Sequence, residues 1–383
     1  MVHQPAFLGF SDAWTPAVLP FIVAFCICLV AVPVTIALAH EAGAVADASR
    51  ARDVHEHPTP RFGGLAMMVA FAVAIAVFGG SVPHRWEVVA ISAAISIAMA
   101  IDDALDLSPR SKLILDLGSG VAVALVGITI DFVAFPGGHI LHFGILAAPI
   151  TIAWVVGMEN SINLIDGVDG VAAGVCAIVA GVLLLAAINR LGPTDGPQEG
   201  VIVMAGALIG CCLAFLVWNF HPAHTFMGDS GSRFLGLTLA VMSISGVAKV
   251  AVALSLAIPL LALALPIADT AWAIWRRKRQ GLSITTADAG HLHHRMLDYG
   301  LSVRETAVAF WLATAVLGCI ALAIFGHQHT LIVAAALLGG ALVALIWRNR
   351  RRIATVEADL AEYVVLSGRA AVPSHARHPG EAD

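Results

Sequence analysis

Residues 15–39 read TPAVLPFIVAFCICLVAVPVTIALA, twenty-five consecutive positions without a charged side chain. A helix of that length rises about 1.5 Å per residue and more than spans a hydrocarbon core of roughly 30 Å. No basic segment precedes the run, and it exceeds the apolar core of a cleavable leader, so it reads as a retained first membrane span. Comparable runs recur at about 62–80, 86–101, 112–131, 141–158, 165–189, 200–218, 232–246, 249–275, 305–325 and 328–347. Eleven candidate spans predict an all-α, polytopic membrane protein of ten or eleven transmembrane helices. Residues 1–347 form the membrane domain. Beyond Trp347 the chain turns polar and basic, so 348–383 reads as a short helix followed by a disordered tail.

The composition of the whole 383-residue chain agrees. It is 59% hydrophobic and 12% charged, with a mean hydropathy of +0.88, against about 25% charge and 45–50% apolar residues in a soluble domain. A water-soluble enzyme of this composition lacks the polar surface to cover itself. The net charge of −5 carries no basic footprint, which argues against nucleic acid as a partner. All six cysteines lie in apolar runs without metal or redox spacing and read as small buried hydrophobes.

Lys and Arg stay on the cytoplasmic side of short loops. Of 21 such residues, all but Arg85, Arg190 and Lys249 fall on one side of an eleven-span topology. That side is therefore expected to be cytoplasmic, with the C-terminal tail there and the N-terminus outside.

The polar chemistry gathers on the same side. It comprises His55–Arg61 (HEHPTPR) with Gly63-Gly64; Asp102-Asp103 with Lys112; Asn160, Asn163, Asp166 and Asp169; Gly228–Ser232; and His291, His293, His294 and Arg295. Carboxylates at a membrane edge are costly and default to functional candidates. Adjacent Asp102 and Asp103 repel unless a cation is shared; a solvated helix end is the simpler alternative. Lys112 can bind a phosphate, or pair with Asp116 four residues on along its helix. Asn160, Asn163, Asp166 and Asp169 recur every three residues and form one ridge if helical, suited to a nucleotide or a hydrated metal. The glycines that follow leave open a plain turn between spans. Phe226–Ser232 (FMGDSGS) can offer backbone N–H groups to phosphate while Asp229 holds Mg²⁺, or it is a helix cap. A zinc site on the histidines is disfavoured because no cysteine is near and carboxylates dominate the other clusters; they suit a pyrophosphate or sugar better.

In this order, PTPRFGG (58–64), IDDALDLSPRSK (101–112), NSINLIDGVDGVAAG (160–174), FMGDSGS (226–232), PIADT (266–270) and HLHHRMLDYGLS (291–302) resemble the polyprenyl-phosphate N-acetylhexosamine-1-phosphate transferases, glycosyltransferase family 4. The resemblance covers about Asp47 to Ser302. It is strongest to the undecaprenyl-phosphate N-acetylglucosamine-1-phosphate transferases, in which His-x-His-His is followed by Arg. One departure is Arg52-Asp53, where members often carry Arg-Lys.

The resemblance implies a bacterial inner-membrane enzyme with a cytoplasmic cleft. It would transfer N-acetylglucosamine-1-phosphate from UDP-GlcNAc to undecaprenyl phosphate, releasing UMP and starting a lipid-linked cell-envelope glycan. It also implies Mg²⁺, with Mn²⁺ a candidate substitute, and a second copy of the chain is a candidate partner. Asp102, Asp103 and Asp229 would be catalytic, and Asp229, Asp103 and Asp166 the metal ligands. Lys112, Asn160, Asn163, Asp166, Asp169, His291, His293, His294 and Arg295 would bind substrate. The competing readings are a related transferase using UDP-GalNAc or UDP-MurNAc-pentapeptide, and a membrane transporter. A transporter would place its site near the bilayer midplane, often between inverted repeats, and the chain has no visible repeat.

Overall fold

A computed structural model describes residues 14–46, 58–134, 140–188, 198–249, 264–279, 302–325, 332 and 334–348. The helices are α1 (Thr15–Ala42), α2 (Gly63–Phe78), α3 (Arg85–Leu105), α4 (Pro109–Leu125), α5 (Ala147–Ile165), α6 (Val171–Ile188), α7 (Glu199–Asn219), α8 (Gly228–Lys249), α9 (Ala264–Arg279), α10 (Val303–Phe325) and α11 (Ala334–Arg348). The only strands among the described residues form two short antiparallel pairs, Val45–Ala46 with Thr59–Pro60 and Phe132–Ala134 with Ile140–His142. Seven of the described helices are long and apolar enough to cross a membrane. The protein is an all-α, multi-pass membrane protein. The 348–383 tail lies outside the described residues, apart from Arg348 at the end of α11.

Of the predicted boundaries that move, two bear on the polar residues. The span expected to end at 158 runs on to Ile165, and the next begins at Val171 rather than 165. The polar residues Glu159, Asn160 and Asn163 therefore sit inside α5. They are tolerated there because each is satisfied by another helix rather than by lipid.

Helix α8 is the centre of the bundle: every residue from Ser230 to Ser243 is buried. It packs chiefly on α3 and α5 and also touches α2, α4, α6 and α7. Burial on all sides explains why it carries no amphipathic stripe. Small residues permit close approach between helices, as membrane packing requires. A Cβ at Gly236 of α8 would meet the backbone of Glu159, and one at Gly206 or Gly210 of α7 would meet the backbone of α1 at Ala17 or Phe21.

Two of the polar motifs are joined backbone to backbone. Gly63 and Gly64 donate to the carbonyls of Phe226 and Met227, both at 3.0 Å, and Phe226 donates to Pro60 at 2.8 Å. Gly64 lies directly on Gly231, leaving no room for a side chain at either position. The start of α2 thus fixes the turn from which α8 begins.

Candidate active site

Each of three helices brings a polar residue to Asp229, the second residue of α8. Lys112, in the first turn of α4, places its Nζ 2.7 Å from Asp229 Oδ2 and 2.7 Å from Asp102 Oδ2. Asn163, near the end of α5, donates from Nδ2 to Asp229 Oδ1 at 2.7 Å and to Ser232 Oγ at 3.0 Å. Asp102, at the end of α3, also accepts from the backbone N–H of Leu107 at 2.8 Å. Lys112 and Asp229 keep 25% and 20% of their side-chain surface exposed while Asp102 keeps 1%, so the cluster opens toward water at the lysine and Asp229.

Asp103 does something different from its neighbour. Its two oxygens accept from the backbone N–H groups of Asp229 (3.0 Å) and Ser230 (3.2 Å), capping α8 from a separate helix. Gly228 makes this possible: its φ of 70° favours glycine, and a Cβ there would strike Asp103 and the Arg61 carbonyl. A carboxylate at a helix N-terminus is stabilised by the exposed donors and the macrodipole.

Of the expected metal ligands Asp229, Asp103 and Asp166, Asp103 already has backbone partners. Among the described residues no three His, Cys, Asp or Glu converge as a ready-made cage. Asp103 is engaged in capping, which leaves Asp229 and Asp166. Asp166 lies just past α5 and its carboxylate receives no hydrogen bond among the described residues. Burial, followed by the charges of Asp229, Asp103 and Asp169, pushes it well above the usual carboxylate range, and the charge of Arg61 opposes them. Two carboxylates among other acids form a donor set that fits Mg²⁺. That ion takes one or two carboxylates and completes its shell with water and substrate phosphate.

Two residues expected to bind substrate do not face this opening. Asp169 is buried and accepts from His221 Nδ1 at 2.8 Å and from the Ala223 N–H at 3.1 Å, clasping the turn after α7. Asn160 points one turn deeper and donates to Asp116 Oδ2 at 2.9 Å. The alternative pairing of Lys112 with Asp116 along α4 does not form: Asp116 binds Arg233 Nε at 3.0 Å instead. Arg233, Asp116 and Glu159 were not among the expected site residues. The signal that exposes them is a charge inside an apolar helix, which is expensive unless partnered. His291, His293, His294 and Arg295, with Arg52 and Asp53, lie outside the described residues.

Comparison with known proteins adds independent findings. The profile of glycosyl transferase family 4 matches residues 85–247. The chain is 35% identical over 297 residues to a probable undecaprenyl-phosphate N-acetylglucosaminyl 1-phosphate transferase of Bacillus subtilis (strain 168), covering 77% of this chain and 81% of the relative. It is 32% identical over 335 residues to the decaprenyl-phosphate N-acetylglucosaminephosphotransferase of Mycobacterium tuberculosis (strain ATCC 25618 / H37Rv), covering 80% and 82%. A phospho-N-acetylmuramoyl-pentapeptide-transferase of Synechococcus sp. (strain JA-2-3B'a(2-13)) is 32% identical over a shorter 272 residues, 68% of this chain and 77% of the relative.

Proposed function

Because the chain belongs to glycosyl transferase family 4, we propose that it transfers N-acetylglucosamine-1-phosphate from UDP-GlcNAc to undecaprenyl phosphate. The observation that carries this reading is the meeting of Lys112, Asn163 and Asp102 on Asp229, beside an Asp166 carboxylate that no donor among the described residues reaches. Both substrates are anions, and a site for joining them needs cations and oriented donors.

In the reaction, an oxygen of the lipid phosphate attacks the phosphorus that carries the sugar. The bond from that phosphorus to the oxygen of UMP breaks, and UMP departs with the electron pair. A bound Mg²⁺, held by Asp229 and Asp166, would offset the repulsion between the two anions and the charge that develops on the leaving phosphate. Lys112 is free to exchange part of its bonding with Asp102 and Asp229 for a phosphate oxygen. Asp102 keeps the ammonium oriented through that exchange. A phosphate monoester has its second pKa near 6, so the acceptor is largely dianionic at neutral pH and needs no strong base. Asn163 holds the Asp229 carboxylate in one rotamer. His291, His293, His294 and Arg295 would complete the pyrophosphate and sugar contacts. The site would open on the cytoplasmic side of the bacterial inner membrane, with the N-terminus outside and the C-terminus in the cytoplasm. The distribution of Lys and Arg supports that orientation.

The N-acetylglucosamine donor is favoured over the muramoyl-pentapeptide donor by the longer matches to the former class and by the His-x-His-His-Arg pattern at 291–295. Purified protein given undecaprenyl phosphate and labelled UDP-GlcNAc, UDP-GalNAc or UDP-MurNAc-pentapeptide is expected to label lipid from UDP-GlcNAc at least tenfold faster than from the others. Chelation should abolish the label and Mg²⁺ should restore it. Preferential labelling from another donor, or full activity after exhaustive chelation, contradicts the assignment.

A further inference from the structure

One helical turn beneath the site lies a second charged layer. Two of the helices that reach Asp229, together with α8 itself, contribute to it. Helix α4 offers Asp116, four residues after Lys112, and α5 offers Asn160 and Glu159, three and four before Asn163. Helix α8 offers Arg233, four after Asp229. Asp116, Glu159 and Arg233 are 0%, 0% and 3% exposed. Arg233 Nε binds Asp116 Oδ1 at 3.0 Å, and Asn160 Nδ2 binds Asp116 Oδ2 at 2.9 Å. Ser119 Oγ reaches both oxygens of Glu159, at 2.8 and 3.0 Å.

Asp116 is thus held from two helices at once, and the three helices are tied together at one level. The layer does not minimise energy locally. Arg233 Nη1 is buried without a hydrogen-bond partner among the described residues, and an orphaned buried donor costs about 1–3 kcal/mol. Apolar packing at these positions would avoid that cost, as replacement of buried ion pairs elsewhere has done. The charged layer gives in return a defined axial register and rotation of α8 against α4 and α5. Nonpolar contacts alone specify register weakly. Arg233 also lies within electrostatic reach of Asp229, adding a second positive charge to that of Lys112.

We infer that Arg233 is a positioning residue: through Asp116 it locks α8 against α4 and so sets where Asp229 presents its carboxylate to Lys112, Asn163 and the reacting phosphates. This rests on the transferase reading for its kinetic consequence, while the placement of Asp229 can be read independently of turnover.

The test compares wild-type protein, Arg233→Lys, Arg233→Met and the apolar set Asp116→Leu/Glu159→Leu/Arg233→Met, all purified in detergent. Three quantities are read: the thermal midpoint, kcat and KM for UDP-GlcNAc, and Mn²⁺ affinity by electron paramagnetic resonance with UMP present. Arg233→Met leaves two buried acids without a cation and is expected to melt lower. The apolar set is expected to recover the wild-type midpoint, yet to keep kcat at least tenfold low, KM within threefold of wild type, and Mn²⁺ affinity at least fivefold weaker. Arg233→Lys, which keeps the charge but not the fork, should restore part of the Mn²⁺ affinity. If the apolar set recovers kcat and Mn²⁺ affinity together with the midpoint, the layer is merely structural and the inference is overturned. Wild-type protein that binds Mn²⁺ but releases no UMP would sink the transferase reading alone, and the Mn²⁺ comparison would still decide the role of Arg233.

Discussion

Asp229→Asn is expected to lower UMP release by about a thousandfold while the yield of folded protein stays at the wild-type level. A divalent cation contributes several kcal/mol of charge stabilisation to phosphoryl transfer, and each 1.36 kcal/mol is a tenfold change in rate. The substitution removes a negative charge from between Lys112 and Arg233 and from the candidate cation site. It also sets an amide NH₂ against Lys112 Nζ or Asn163 Nδ2, both of which are donors. Folding is spared because the cap on α8 uses the backbone N–H of residue 229, not its side chain. Release of UMP within threefold of wild type would remove Asp229 from the chemistry.

Asp103→Asn is expected to fail differently. The carboxylate accepts from two backbone N–H groups at once, and an amide has only one oxygen to offer them. Loss of a charged cap costs about 2 kcal/mol, so the thermal midpoint should fall by several degrees. The 228–230 turn would then relax, and Asp229 with it. A displacement on the order of 1 Å in a reacting group can cost roughly a hundredfold in rate. Turnover and stability are therefore expected to fall together at Asp103, whereas turnover alone falls at Asp229. A variant at Asp103 with a wild-type midpoint and a thousandfold loss of rate would instead make this acid a direct participant in the reaction.

The contrast between these neighbours marks what is legible in the sequence. The helical membrane class follows directly from runs such as 15–39, because an uninterrupted apolar stretch has few alternatives in water or lipid. The three-residue spacing of Asn160, Asn163 and Asp166 correctly suggests a helical ridge, but the spacing alone does not say where the helix stops. It stops at Ile165, and the turn through Gly170, with φ of 76°, turns Asp169 away to clasp His221. At the other end of the ridge Asn160 lies one turn deeper and meets Asp116. Adjacent Asp102 and Asp103 look equivalent in sequence, yet successive side chains on a helix diverge by about 100°. One meets Lys112 and the other meets the start of α8. Arg233 sits in an apolar context, and its partner Asp116 is 117 positions away in sequence. No local pattern connects them; only the folded bundle, which brings α4 and α5 to α8 at this level, does.

On the proposed reading, Asp229 and Asp166 would hold a divalent cation against the diphosphate of the donor. Electron–nuclear double resonance on the Mn²⁺-loaded protein with UDP-GlcNAc reads this directly through coupling to ³¹P. A resolved ³¹P coupling in the wild type, lost in Asp229→Asn and weakened in Asp166→Asn, is the predicted result. A coupling of unchanged strength in both variants would mean that the cation reaches the diphosphate without these carboxylates, and would contradict the account.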